Sequence, residues 1–125
     1  MSKKKILMVD DEEDLVRMYK LNLEATKKYE VRTDNKGIGA YQVAKAFQPD
    51  LIFFDIIMPG VDIAEVVRQI REDQGMAHIP IVFLTATVTA GELKQHGGVV
   101  GGESFLPKPV TTAQIVECIK KHLGE

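Results

Sequence analysis

Four short apolar runs constrain this chain more than any other feature: ILMV at 6–9, LIFF at 51–54, IVFL at 81–84 and a weaker SFL at 104–106. Each has the length of a strand, and YEVRT at 29–33 alternates apolar and polar residues between the first two. Runs that are apolar at nearly every position bury both faces, which is what parallel strands covered by helices require. The segments between them carry helical period. Leu15, Val16, Tyr19 and Leu23 form one stripe, and Ala40, Val43, Ala44 and Phe47 a second. Ile63, Val66, Val67 and Ile70 form a third, and Ile115, Val116, Ile119 and Leu123 the last. Core packing is the expected role of all of them.

Punctuation supports the division. QPD at 48–50 stops the second helix, IP at 79–80 precedes the fourth strand, and KPV at 108–110 follows the fifth. Thr111 or Thr112 can cap the last helix. The pattern predicts a (βα)5 α/β fold, an open, doubly wound parallel sheet of five strands with helices on both faces and right-handed crossovers. One segment fits poorly. TVTAGELKQHGGVVGG at 87–102 carries five glycines, and each glycine inside a helix costs about 1 kcal/mol relative to alanine. A short helix near 89–96 followed by loop is expected there.

The 125 residues suit one domain, 1–125, with one core. An apolar content of 45% and a charged content of 27% exclude disorder as the main state. The net charge of −2 disfavours a nucleic-acid surface, which needs a basic patch, and SKKK at 2–5 reads as a solvated terminus. The single Cys118 cannot form an intramolecular disulfide and is expected to pack as a small hydrophobe. No apolar run approaches the ~20 residues of a membrane span, and ILMV is too short for a signal sequence. A cytoplasmic protein is the expectation. His78, His96 and His122 stand in no metal-ligand spacing and are expected at the surface.

The chemistry lies in the acids. Five consecutive carboxylates, Asp10 to Asp14, follow the first strand. In open α/β sheets, ligands bind beyond the carboxyl ends of the strands where strand order reverses, which for order 2-1-3-4-5 is between strands 1 and 3. Asp10 and Asp11 end the first strand and Asp55 the third, so with strands about 4.8 Å apart the three carboxylates converge. Thr85 and Lys108 reach the same edge from the fourth and fifth strands. Acids so close raise one another's pKa unless a cation offsets them. An all-oxygen site with few protein donors suits Mg²⁺, which keeps several waters. Glu12, Glu13 and Asp14 open the first helix, where its dipole favours negative charge.

With these residues placed, the chain resembles the response-regulator receiver domains of the CheY-like family over nearly its whole length. VDDEEDL with Asp10 and Asp11, FFDIIMPGVD with Asp55, FLTA with Thr85, and FLPKP with Phe105 and Lys108 carry the resemblance. It implies a flavodoxin-like sheet, order 2-1-3-4-5, and a function in two-component phosphorelay signalling. Asp55 would accept a phosphoryl group from a sensor histidine kinase, a histidine phosphotransfer protein or a small phosphodonor. Asp11, Asp55 and the Ile57 backbone carbonyl would bind Mg²⁺ directly, with Asp10 acting through water. Thr85 and Lys108 would contact the phosphoryl oxygens, and Thr85 and Phe105 would form the switch. Ile57 and Thr87 would tune rates. A cis peptide is implied at Pro109.

Such a protein is a signalling phosphoacceptor that assists its own phosphorylation and dephosphorylation, not an enzyme with a separate substrate. Its output partner would meet the face built from the fourth helix, fifth strand and fifth helix; neither a membrane nor nucleic acid is an expected partner. No output domain is expected in the sequence. Ile63 departs from the glycine usual at its place, and the glycine-rich fourth helix departs more. An unphosphorylated interaction module is the alternative. A phosphohydrolase or flavin protein on the same fold is disfavoured, because the loop after the first strand is DDEED.

Overall fold

Alternation along the strands builds two apolar layers from one sheet. In the computed structural model, which describes residues 3–85 and 104–124, the strands are β1 (Lys4–Val9), β2 (Tyr29–Asp34), β3 (Leu51–Asp55), β4 (Ile81–Thr85) and β5 (Ser104–Pro107). All pair in parallel, in the order β2-β1-β3-β4-β5. The helices are α1 (Glu13–Ala25), α2 (Ala40–Phe47), α3 (Ile63–Glu72) and α4 (Thr112–Leu123). The last of these is the expected fifth helix. The helix expected near 89–96, the glycines of 97–102, Thr87 and His96 lie outside the described residues.

Leu7, Val9, Ile52, Phe54, Ile81 and Phe83 point to one face and pack with Ala44, Phe47, Val66 and Ile70 of α2 and α3. Ile6, Met8, Leu51, Phe53, Val82 and Leu84 point to the other and pack with Val16, Tyr19, Leu23, Ile115 and Ile119 of α1 and α4. Every position of β3 and β4 is buried. Full burial of one such side chain stabilises by about 1.5–3 kcal/mol, so these central strands anchor whatever stands at their ends. All four expected helical stripes face the core, with Leu15, Val43, Val116 and Leu123 at its margin.

Local signals set the boundaries. Gln48, held out of the right-handed helical region by Pro49, takes φ 55° and ends α2. Asp62 caps α3 by accepting from the Glu65 N–H at 3.1 Å. Thr111, one of the two caps expected, forms a reciprocal capping box with Gln114 before α4. Gly37, at φ 75°, permits the loop before α2 to lie against Met58 and Val61: a Cβ there would stand 2.9 Å from Val61 Cγ2. No helix among the described residues is long and apolar enough to cross a membrane.

Candidate functional site

Parallel register delivers the polar residues to one edge. Val9 lies beside Phe54, Asp55 beside Leu84, and Thr85 beside Pro107. Asp10 therefore follows the last residue of β1, Asp55 and Thr85 close β3 and β4, and Lys108 follows β5. Asp10, Asp55 and Thr85 are the buried polar or charged residues among those described. Behind them residues 6–9, 51–54 and 81–84 are apolar and buried.

Lys108 lies at the centre. Its Nζ is 2.7 Å from Asp10 Oδ2, 2.8 Å from Glu12 Oε1 and 3.6 Å from Asp55 Oδ2, and its side chain is only 6% exposed. That ammonium is the partner of the buried Asp10 Oδ2, for which the described residues supply no other donor. Burial works to lower the lysine pKa, but Asp10 and Glu12 outweigh it and hold the ammonium above its ordinary value. The Lys108–Pro109 peptide is cis, as the resemblance implied.

Asp55 is shifted upward as well, which in an acid disfavours the charged form. Its Oδ1 accepts from the Ile57 N–H at 3.0 Å. Burial, the largest effect, and the carboxylates of Asp10 and Asp11 together push its pKa from 3.8 to about 6, against the opposing Ile57 hydrogen bond and Lys108. Asp11 is exposed at the rim. One oxygen from each of Asp10, Asp11 and Asp55 can be chosen so that all lie within 4.8 Å of one another. Three hard oxygens with an open side suit a Mg²⁺ ion that keeps its waters, and the upward shift of Asp55 is the strain that such an ion would relieve.

The Thr85 hydroxyl is fully buried and has no hydrogen-bond partner among the described residues. Leaving a buried hydroxyl unpaired costs about 1–3 kcal/mol. Phe105 is half-buried and packs against Phe83, the rings tilted by 35° with centroids 5.5 Å apart. Ile57, whose N–H donates to Asp55 Oδ1, is 47% exposed, so its apolar side chain meets solvent. Every expected site residue among those described thus stands at or beside one edge.

Sequence reasoning missed two residues and misplaced a third. Glu12 was expected to serve the helix dipole, but its side chain contacts Lys108, 96 residues away in sequence. Tyr19 was expected only in the core; its hydroxyl also donates to the Val110 carbonyl at 2.8 Å, tying α1 to the loop after the cis bond. His122, expected at the surface, is half-buried: Nδ1 lies 2.9 Å from the Cys118 carbonyl and Nε2 3.1 Å from Ser104 Oγ. No local motif announces contacts across such distances. His78 is exposed, and burial pushes the half-buried Cys118 thiol up, away from nucleophilic character.

Known proteins share this architecture. The chain is 32% identical over 124 residues to the polar-differentiation response regulator DivK of Brucella anthropi, covering 98% of each chain. The chemotaxis response regulator CheY4 of Vibrio cholerae matches with a TM-score of 0.83 at 30% identity, over 97% of this chain and 99% of that one. The signal receiver domain of a signal transduction histidine kinase from Syntrophus aciditrophicus matches with a TM-score of 0.80 at 25% identity, over 97% and 90%. Residues 6–120 match the response regulator receiver domain family, and the chain therefore belongs to it.

Proposed function

We propose that this chain is the phosphoacceptor of a two-component phosphorelay, with Asp55 as the residue that is phosphorylated. The observation that carries the reading is the convergence on one edge of a strained carboxylate at Asp55, the Lys108 ammonium and the buried Thr85 hydroxyl. An Asp55 oxygen attacks the phosphorus of a phosphohistidine on a kinase or phosphotransfer protein. The new O–P bond forms as the P–N bond breaks, and the imidazole leaves with the electron pair. Lys108 supplies a point charge to a phosphoryl oxygen, and the Thr85 hydroxyl donates to another.

Asp11, Asp55 and the Ile57 carbonyl would hold Mg²⁺, with Asp10 acting through water. When bound, that ion neutralises charge on the transferring oxygens. Drawing Thr85 toward the phosphoryl group changes the space behind it, where Phe105 packs against Phe83. That shifts the population of the output face around β5 and α4. Ile57 can neither donate nor accept a side-chain hydrogen bond and would shield the phosphoryl group from an attacking water; Thr87 is the second residue expected to tune that step.

Incubation with acetyl phosphate and Mg²⁺ followed by intact mass tests the assignment. The protein should gain one phosphoryl group, and chelation or Asp55→Asn should abolish the gain. Labelling that persists in a folded Asp55→Asn protein overturns it.

A further inference from the structure

Lys108 is held by more acid than the transfer chemistry uses. Its ammonium stands closer to Asp10 and Glu12, at 2.7 and 2.8 Å, than to Asp55, at 3.6 Å. Glu12 occupies the cap position before α1, where Ser, Thr, Asp or Asn usually bonds back to the helix N–H groups. Its side chain makes no such bond and reaches to Lys108 instead. Its own N–H donates to Asp10 Oδ1 at 3.0 Å, which fixes the backbone from which it reaches.

The Lys108 backbone is fixed as well. Its N–H donates to the Thr85 carbonyl at 2.7 Å, and Tyr19 holds the Val110 carbonyl. What can change is the division of the ammonium among the carboxylates around it. Of the two carboxylates nearest to it, that of Asp10 is buried at 1% exposure, whereas that of Glu12 is 56% exposed and can be replaced by water.

We infer that Glu12 is a positioning residue that latches the Lys108 ammonium away from Asp55 until a phosphoryl group arrives. The inference rests on the phosphoacceptor reading above. On this inference the ammonium is drawn from Glu12 toward a phosphoryl oxygen as the aspartyl phosphate forms, while Asp10, at 2.7 Å, keeps it within the site. A half-exposed pair is weak, so the latch slows formation modestly. Once the phosphoryl oxygens hold the ammonium, Glu12 has no further part, and the lifetime of the phosphorylated form is untouched.

Initial rates of labelling by acetyl phosphate at saturating Mg²⁺, and decay after donor removal, are compared for the intact chain, Glu12→Gln and Glu12→Asp. Gln removes the charge; Asp keeps it but is one methylene too short for the contact. Both should label about two- to fivefold faster than the unsubstituted chain, with unchanged decay. Rates equal to the unsubstituted chain in both variants, or Asp behaving as the unsubstituted chain while Gln is faster, would overturn the latch, the second outcome showing a charge effect without contact. A parallel shift in decay would overturn it as well. The ¹³Cε shift of Lys108 in metal-free, donor-free protein supplies a readout independent of labelling: it should move in both variants, and a signal unmoved in either overturns the latch. If the unsubstituted chain takes no label while that signal moves, the phosphoacceptor reading has failed and the contact stands.

Discussion

Two aspartates, Asp55 at the end of β3 and Asp73 after α3, show how one residue type is put to opposite uses. Asp73 is fully served: it accepts from the Tyr41 hydroxyl at 2.7 Å and the Gly75 N–H at 2.9 Å, with Lys45 Nζ at 3.5 Å. The Tyr41 hydrogen bond above all, then the Gly75 N–H, holds its pKa below the ordinary value. Asp55 accepts one backbone bond, sits deeper, and faces Asp10 and Asp11, so its pKa rises to about 6. Asp73 joins α2 to the end of α3 and is content as an anion. Asp55 is an anion that the fold resists, a state useful only if a cation or an electrophile is to meet it.

The largest test of this contrast is pH. With its pKa raised from 3.8 to about 6, Asp55 binds a proton in the folded state that the unfolded chain has already lost. Its contribution is therefore most favourable at and below about pH 4 and is lost as pH rises through about 6. The difference approaches about 2–3 kcal/mol. Chelator-treated protein should be destabilised over that window relative to Asp55→Asn, whose profile should be flatter, as read by denaturant midpoints from pH 4 to 8. Saturating Mg²⁺ should narrow the gap. Parallel profiles for the two proteins would break the comparison.

How much of this was visible in the sequence depends on distance along the chain. The ends of β1, β3, β4 and β5 could be read because apolar runs stop at Asp10, Asp55, Thr85 and Lys108, and parallel topology alone then brings those residues together. The cap of the last helix could be read as Thr111 or Thr112, and Gln114, three residues after Thr111, is what decides between them; Asp62 stands in the same spacing to Glu65 in DIAE. Glu12 on Lys108, Tyr41 on Asp73 and Tyr19 on Val110 could not be read. Each depends on where a side chain reaches, through helix rotation and rotamer choice, which periodicity specifies only to the level of a face.

A second test concerns the other strained group of the edge. The Thr85 hydroxyl is buried without a partner among the described residues, so Thr85→Val exchanges a polar atom unsatisfied there for a methyl group of nearly the same shape. The substitution should stabilise the unphosphorylated protein by about 1 kcal/mol. It should also weaken the response of the Phe105 environment to phosphorylation, read by aromatic NMR shifts with a beryllofluoride mimic. Destabilisation instead would show that the hydroxyl is already satisfied, and the edge would then hold one strained group rather than two.

The smallest effect is expected at the contented aspartate. Tyr41→Phe removes the strongest of the interactions that favour ionised Asp73 but leaves the Gly75 N–H and Lys45 in place. The site is close to solvent, so water can take the vacated position and the thermal midpoint should fall by only about 2–4 °C at neutral pH. The sign with pH is the reverse of that for Asp55. A carboxylate with a depressed pKa stabilises above its unfolded value and loses that contribution as pH falls through its folded pKa. The deficit of Tyr41→Phe should therefore shrink on acidification below about pH 4, where both forms become protonated. Labelling of Asp55 should be unaffected, since Asp73 lies beyond the far end of α3. A deficit that persists undiminished into acid would mean that Tyr41 contributes packing rather than a charge-assisted bond, and Asp73 would no longer serve as the satisfied counterpart of Asp55.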